Sequence, residues 1–64
     1  MMFGKVIDLL KQGKKVRRRL VHTKGEFFRL HAGVIVKYDP DEDYYYVPHF
    51  WSQDLFAEDW EVVE

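Results

Sequence analysis

Sixty-four residues suffice for one domain, 1–64, and a body this short buries only about 60% of the surface its unfolded chain exposes. Ten Lys and Arg against eleven Asp and Glu leave a net charge of −1, which argues against the basic surface of a duplex-DNA binder, and no apolar run approaches the ~18 residues of a membrane span. Without cysteine there is no disulfide, and His22, His31 and His49 have no thiolate partners for a structural zinc, so the expected staples are oligomerisation and a core rich in the two Trp, four Tyr and five Phe.

Phe3, Val6, Ile7 and Leu10 recur at i, i+3, i+4 and i+7, which predicts a helix over 3–12 with one apolar face. Gly13 follows the last periodic residue, where a left-handed C′ position is expected, and Lys11, Lys14 and Lys15 suit the negative end of the helix dipole. Met1 to Gly4 lead straight into this pattern, so no export signal is expected and the predicted location is cytoplasmic. Lys15 to Val21 reads as a strand, with Arg18 on the side of Val16 and with Arg17 and Arg19 on the other. His22 to Gly25 is a turn, Glu26 to His31 a strand, Ala32-Gly33 a break, and Val34 to Tyr38 a β-branched strand. Asp39 to Asp43 is a turn around Pro40, and Tyr44 to Val47 its hairpin partner, ended by Pro48. Residues 48–58 are irregular with one helical turn, which the Asp54 carboxylate is placed to cap through the N–H groups two and three residues on. Trp60 to Val63 is the last strand. The fold class is therefore α+β: one N-terminal helix packed on a small antiparallel sheet of four or five strands.

Arg17 and Arg19 read as solvated charges protecting a sheet edge. Arg18 points toward the core side and needs a partner there, either a carboxylate such as Asp54 or Asp59 or a ligand phosphate. The Asp39, Asp41 and Asp43 run opens like a calcium loop, but the required glycine and bidentate glutamate are replaced by Tyr44 and Phe50, so it reads as a solvated turn. Tyr44, Tyr45, Tyr46, Phe50 and Trp51 form an aromatic-rich stretch that suits either a subunit interface or base stacking, since alternate tyrosines face opposite sides. Ser52 is the only serine and Thr23 the only threonine, and no histidine accompanies either in a nucleophile motif. No catalytic residue, metal site or cofactor is predicted, and the chain is not expected to be an enzyme.

Both ends of the chain carry a resemblance. Phe3-Gly4, the amphipathic helix, Gly13-Lys14-Lys15-Val16 and Arg18 form one half of the pattern, and Ser52-Gln53-Asp54-Leu55-Phe56-Ala57-Glu58-Asp59-Trp60 the other. Together they resemble the phage Thoeris anti-defence sponge family of the second type. The resemblance implies a homo-oligomer, dimer or tetramer, that sequesters a cyclic nucleotide immune signal in pockets between subunits without cleaving it. It implies Arg18, Trp51 and Asp54 as ligand-binding residues, with Arg18 on phosphate and Asp54 on a ribose hydroxyl or ring N–H. Where the family carries a glycine-tryptophan pair this chain has Leu20-Val21, so one of Tyr44 to Tyr46, or Phe27, would supply the missing stacking wall. Two other readings follow from the same residues: a protein–protein inhibitor of a host defence effector such as a CRISPR nuclease, and a module for single-stranded nucleic acid, the latter opposed by the neutral net charge.

Overall fold

A computed structural model describes residues 1–63. Helix α1 spans Phe3–Lys11 and buries Val6 and Leu10 completely or nearly so. It has no side-chain N-cap at Met2, but its C-terminus is closed as the sequence predicts. Gly13 sits at φ +85°, its N–H donates to Leu10 O at 3.0 Å, and Lys14 N–H donates to Leu9 O at 3.1 Å. This is the paired hydrogen-bond pattern of a left-handed helix stop, and it turns the chain directly into the sheet.

Five antiparallel strands follow: β1 (Lys15–Arg18), β2 (Phe27–His31), β3 (Val34–Asp39), β4 (Tyr44–Tyr46) and β5 (Trp60–Val63). Their order in the sheet is β4-β3-β2-β1-β5. The chain is thus α+β, with a second short helix, α2 (Ser52–Phe56), ahead of β5. Beta-1 ends at Arg18 and not at Val21, because the N–H groups of Val21 and His22 fold back onto Arg18 O at 3.2 and 2.8 Å. Leu20 and Val21 consequently stand in solvent. Nor is β1 an edge: it lies between β2 and β5, and Arg17 pairs across the ladder with Glu61 at 2.7 Å instead of guarding a free edge.

Register decides which residues meet. Val16 lies opposite Phe28 on one side and Val62 on the other, Arg18 opposite Trp60, Leu30 opposite Ile35, and Lys37 opposite both Phe28 and Tyr46. Paired residues share a face, so all of these look toward the helix side. Alpha-1 covers the β1, β2 and β5 part of that face. The core joins Val6, Leu10, Val16, Phe28 and Trp60, with Phe3, Ile7, Leu9, Leu30, Ile35, Phe50 and Ala57 packed around it. Phe50 leaves the irregular stretch 47–51 to stack on Phe28 at 5.1 Å and to meet Phe3 edge-on at 5.5 Å. That stretch thereby forms a roof over the half of the sheet beyond the helix. The opposite face of the sheet carries Phe27, Arg29, Val36, Tyr38 and Tyr45, with no helix over it.

Candidate functional site

The inward arginine finds both carboxylates that the sequence offered it. Arg18 Nε donates to Asp59 Oδ1, and Nη1 donates to Asp54 Oδ1 at 2.9 Å. Its side chain is only 13% exposed. Asp59 immediately precedes β5, opposite the end of β1, and its second oxygen accepts the Leu20 N–H at 3.0 Å. Removal from water pushes the Asp59 carboxyl upward, but the Leu20 N–H and the Arg18 guanidinium outweigh this and hold it below the ordinary carboxylate range.

Asp54 lies in the first turn of α2, and its role there differs from the one expected. Its Oδ2 accepts the Trp51 N–H at 3.0 Å, reaching back to the residue before the helix, where a forward cap on later N–H groups was predicted. Residue three of a helix commonly closes the N-terminus this way. The Asp54 carbonyl accepts the Trp60 indole N–H at 2.8 Å, which satisfies the one polar atom of a side chain that is otherwise core. One aspartate therefore ties α2, β1 and β5 together.

Behind Arg18 lies His22, 4% exposed. The Arg18 backbone N–H donates to His22 Nδ1 at 2.8 Å, so the neutral ring keeps its proton on Nε2. The ring meets Phe28 edge-on at 5.1 Å and Trp60 at 6.4 Å. Burial, followed by the nearby Lys37 cation, lowers the pKa of His22 below 6.5 and keeps it uncharged.

In front of these groups a cavity of about 370 Å³ opens beneath the 47–51 roof. Arg18, His22 and Asp54 line it from the β1–α2 side, Phe28, Lys37 and Tyr46 from the sheet, and His49 and Trp51 from the roof. Trp51 is largely exposed and meets His49 edge-on at 4.4 Å. The arrangement combines aromatic faces, donors and a cation, the mixture that holds small polar ligands with a planar ring. A second, more open groove of about 440 Å³ runs outside the brace that Arg18 forms with Asp54 and Asp59, past Leu20, Phe56 and Glu58.

Of the residues singled out from the sequence, Arg18, Trp51 and Asp54 come together at this cavity. Phe27 does not: it sits on the opposite sheet face, stacked on Tyr38 at 5.1 Å with Lys15 Nζ 4.7 Å above its ring. Tyr44 lies further along β4 and reaches the cavity only through its neighbour Tyr46, 5.7 Å away. Sequence reasoning passed over Lys37 and His22 as site residues, and weighed Tyr46 only as one of a stacking stretch. The signal for Lys37 was present, since period-two alternation from Ile35 puts it on the core face. His22 looked like a turn residue, and nothing local marks it as buried. The acidic run is used in its own turn: Asp39 Oδ1 accepts the Asp41 N–H at 3.0 Å, and Asp43 accepts the Tyr38 hydroxyl at 2.6 Å.

No curated protein matches the sequence. The family model for the Thoeris anti-defense 2-like domain, Tad2-like, matches residues 1–63, which takes in the brace, the cavity and every strand. The chain therefore belongs to the Thoeris anti-defense 2-like domain family and is a Thoeris anti-defence protein.

Proposed function

We propose that the protein binds and sequesters a cyclic nucleotide immune signal, a cyclic ADP-ribose isomer or a cyclic oligonucleotide, without cleaving it. The observation that carries this reading is the cavity under the 47–51 roof, lined by an exposed tryptophan, a tyrosine and a lysine. Trp51 offers a ring for a base, and stacking of that kind contributes about 1–3 kcal/mol. His49, Tyr46 and the His22 Nε2–H supply directional hydrogen bonds. The active form is a homo-oligomer, because so small a core leaves Val34, Tyr45, Trp51, Phe56 and other large apolar side chains exposed, more than a domain of this size covers by itself.

Thermal unfolding of the purified protein against a panel of cyclic ADP-ribose isomers and cyclic di- and trinucleotides tests this. A ligand present at about a thousand times its dissociation constant stabilises the native state by roughly 4 kcal/mol, a shift of many degrees for a domain of this size. Chromatography of the ligand recovered after heat denaturation is expected to return it intact. A cleaved product would contradict sequestration, and a flat panel would contradict binding.

A second reading, inhibition of a host defence effector by direct contact, is favoured by one feature. Leu20 and Phe56 are 68% and 75% exposed and border the open groove outside the brace. Leu20→Asp would then abolish capture of a purified effector while leaving the thermal response to nucleotides unchanged.

A further inference from the structure

The cavity contains two cations, and they are not equivalent. Arg18 is surrounded by its own counter-charges: Asp59 and Asp54 both accept from its guanidinium, so the three side chains together carry one net negative charge. An anion approaching this group is repelled by the carboxylate pair, although Arg18 keeps further N–H groups beyond the two that these bonds use. Displacing either carboxylate would cost the brace between β1, α2 and β5. Charge-assisted bonds of this kind are about twice as strong as neutral ones, and a ligand phosphate would have to replace them one for one.

Lys37 stands in the opposite situation. It occupies the middle of β3, between Phe28 on β2 and Tyr46 on β4, and is half-buried on the cavity side of the sheet. Its Nζ lies 5.6 Å from the centroid of the Phe28 ring. Glu26, Asp39 and Asp41 border a neighbouring groove that Lys37 also touches, yet none forms an ion pair with it among the described residues. Asp39 is already turned inward on the Asp41 and Glu42 N–H groups, at 3.0 and 3.4 Å. A lysine is costly to place at a partly dry position without a counter-ion. Here an aromatic face alone holds it, which stabilises a cation by far less than an ion pair at a desolvated site. The cost is relieved when an anion enters.

We infer that Lys37, and not Arg18, is the anion-binding residue of this cavity, contacting a phosphate or pyrophosphate group while Arg18 serves as a positioning residue for Asp54 and the roof. The inference rests on the nucleotide reading above for the identity of the whole ligand, but the anion contact itself can be measured separately. Tyr46, paired with Lys37 across the β3–β4 ladder, and Trp51 line the same cavity, so a phosphate on Lys37 would have the Tyr46 hydroxyl as a neighbouring donor and Trp51 as a ring for the rest of the ligand.

Titration with inorganic pyrophosphate, followed by amide and side-chain NMR, tests the assignment in the full chain. The expected result is perturbation of Lys37, Tyr46 and His22 resonances in the unaltered protein. Lys37→Met is expected to weaken pyrophosphate binding at least tenfold while the Arg18–His22 hydrogen bond persists. Lys37→Arg is expected to restore most of the binding, which a merely structural role for Lys37 would not predict. Unchanged pyrophosphate affinity in Lys37→Met overturns the inference. So does a response centred on Arg18, Arg19 and Leu20, or no response in the unaltered protein. If pyrophosphate binds through Lys37 but no cyclic nucleotide shifts the melting temperature, the anion site stands and the sequestration reading falls. If a cyclic nucleotide binds and Lys37→Met leaves its affinity intact, the reverse holds.

Discussion

Asp54 meets three different groups at once: the Arg18 guanidinium, the Trp51 N–H and, through its carbonyl, the Trp60 indole. A single side chain in that position couples stability to the shape of the cavity, because Trp51 begins the helix that Asp54 holds. Asp54→Ala is expected to destabilise the fold by about 1.5–3 kcal/mol, the range for losing hydrogen bonds to charged groups, read as a lower urea midpoint. Loss of ligand binding in that variant, or in Arg18→Ala, would therefore report the brace as much as any direct contact. His22 leads to a prediction in pH. Its folded pKa lies below the unfolded value near 6.5, so between the two the unfolded chain binds more protons than the native one. Stability from this group is complete above about pH 6.5 and declines as pH falls toward the depressed native value. His22→Asn keeps an acceptor near Nδ1 and removes the titration. Denaturation midpoints measured across roughly pH 5 to pH 8 are expected to slope less in that variant than in the unaltered protein. Asp59, held below the carboxylate range, adds a second and more acidic loss as it protonates.

At the scale of elements, the tightest local constraint is the β2–β3 hairpin. Ala32 and Gly33 take φ +50° and +80°, both left-handed, between His31 and Val34, which are paired. Two left-handed residues in a row match the twist of the flanking strands, and glycine accepts this freely. Alanine does not, at a cost of about 1–2 kcal/mol for the left-handed position. Ala32→Asn or Ala32→Gly is therefore expected to raise the unfolding free energy by roughly 0.5–1 kcal/mol, visible as a higher melting temperature with no change at the cavity. The hairpin was legible as a break between two strands, because Gly follows a run of aromatics and precedes a β-branched run. The length of β1 was not. Arg19, Leu20 and Val21 have a strand-like composition, and the ladder ends because the chain folds back on Arg18, whose carbonyl accepts the Val21 and His22 N–H groups and whose N–H donates to the buried His22 ring. The helix and its glycine stop were fully legible, since periodicity and a left-handed C′ position are local properties of the chain.

For the whole molecule, the helix-free sheet face sets the next question. Phe27 is buried there by Tyr38, Tyr45 and the Lys15 stem, while Val34 and Tyr45 stay nearly half exposed. A second copy seated on this face would complete a core that a chain of this length fills only in part. Tyr45→Glu is expected to convert an oligomer to monomer in sedimentation velocity and to lower the melting temperature in a concentration-dependent way. An unchanged sedimentation coefficient would place the subunit contact elsewhere, with the exposed Leu20 and Phe56 among the other apolar side chains available.

Local order along the chain determined the helix, its stop, the last strand and the hairpins, because each depends on residues within one or two turns of one another. It also determined that Arg18 faces inward and needs an anionic partner, a carboxylate or a ligand phosphate, since alternation from Val16 and the cost of a buried charge are enough to require one. Tertiary structure alone decided which aspartates answer and which cation stays free. Strand order brings β5 beside β1 and so places Asp59 and Asp54 at Arg18. The same order puts Lys37 two strands away, under the 47–51 roof, where no carboxylate among the described residues forms an ion pair with it. Charge pairing depends on distances across the sheet, and those are set by packing between residues that lie far apart in the chain.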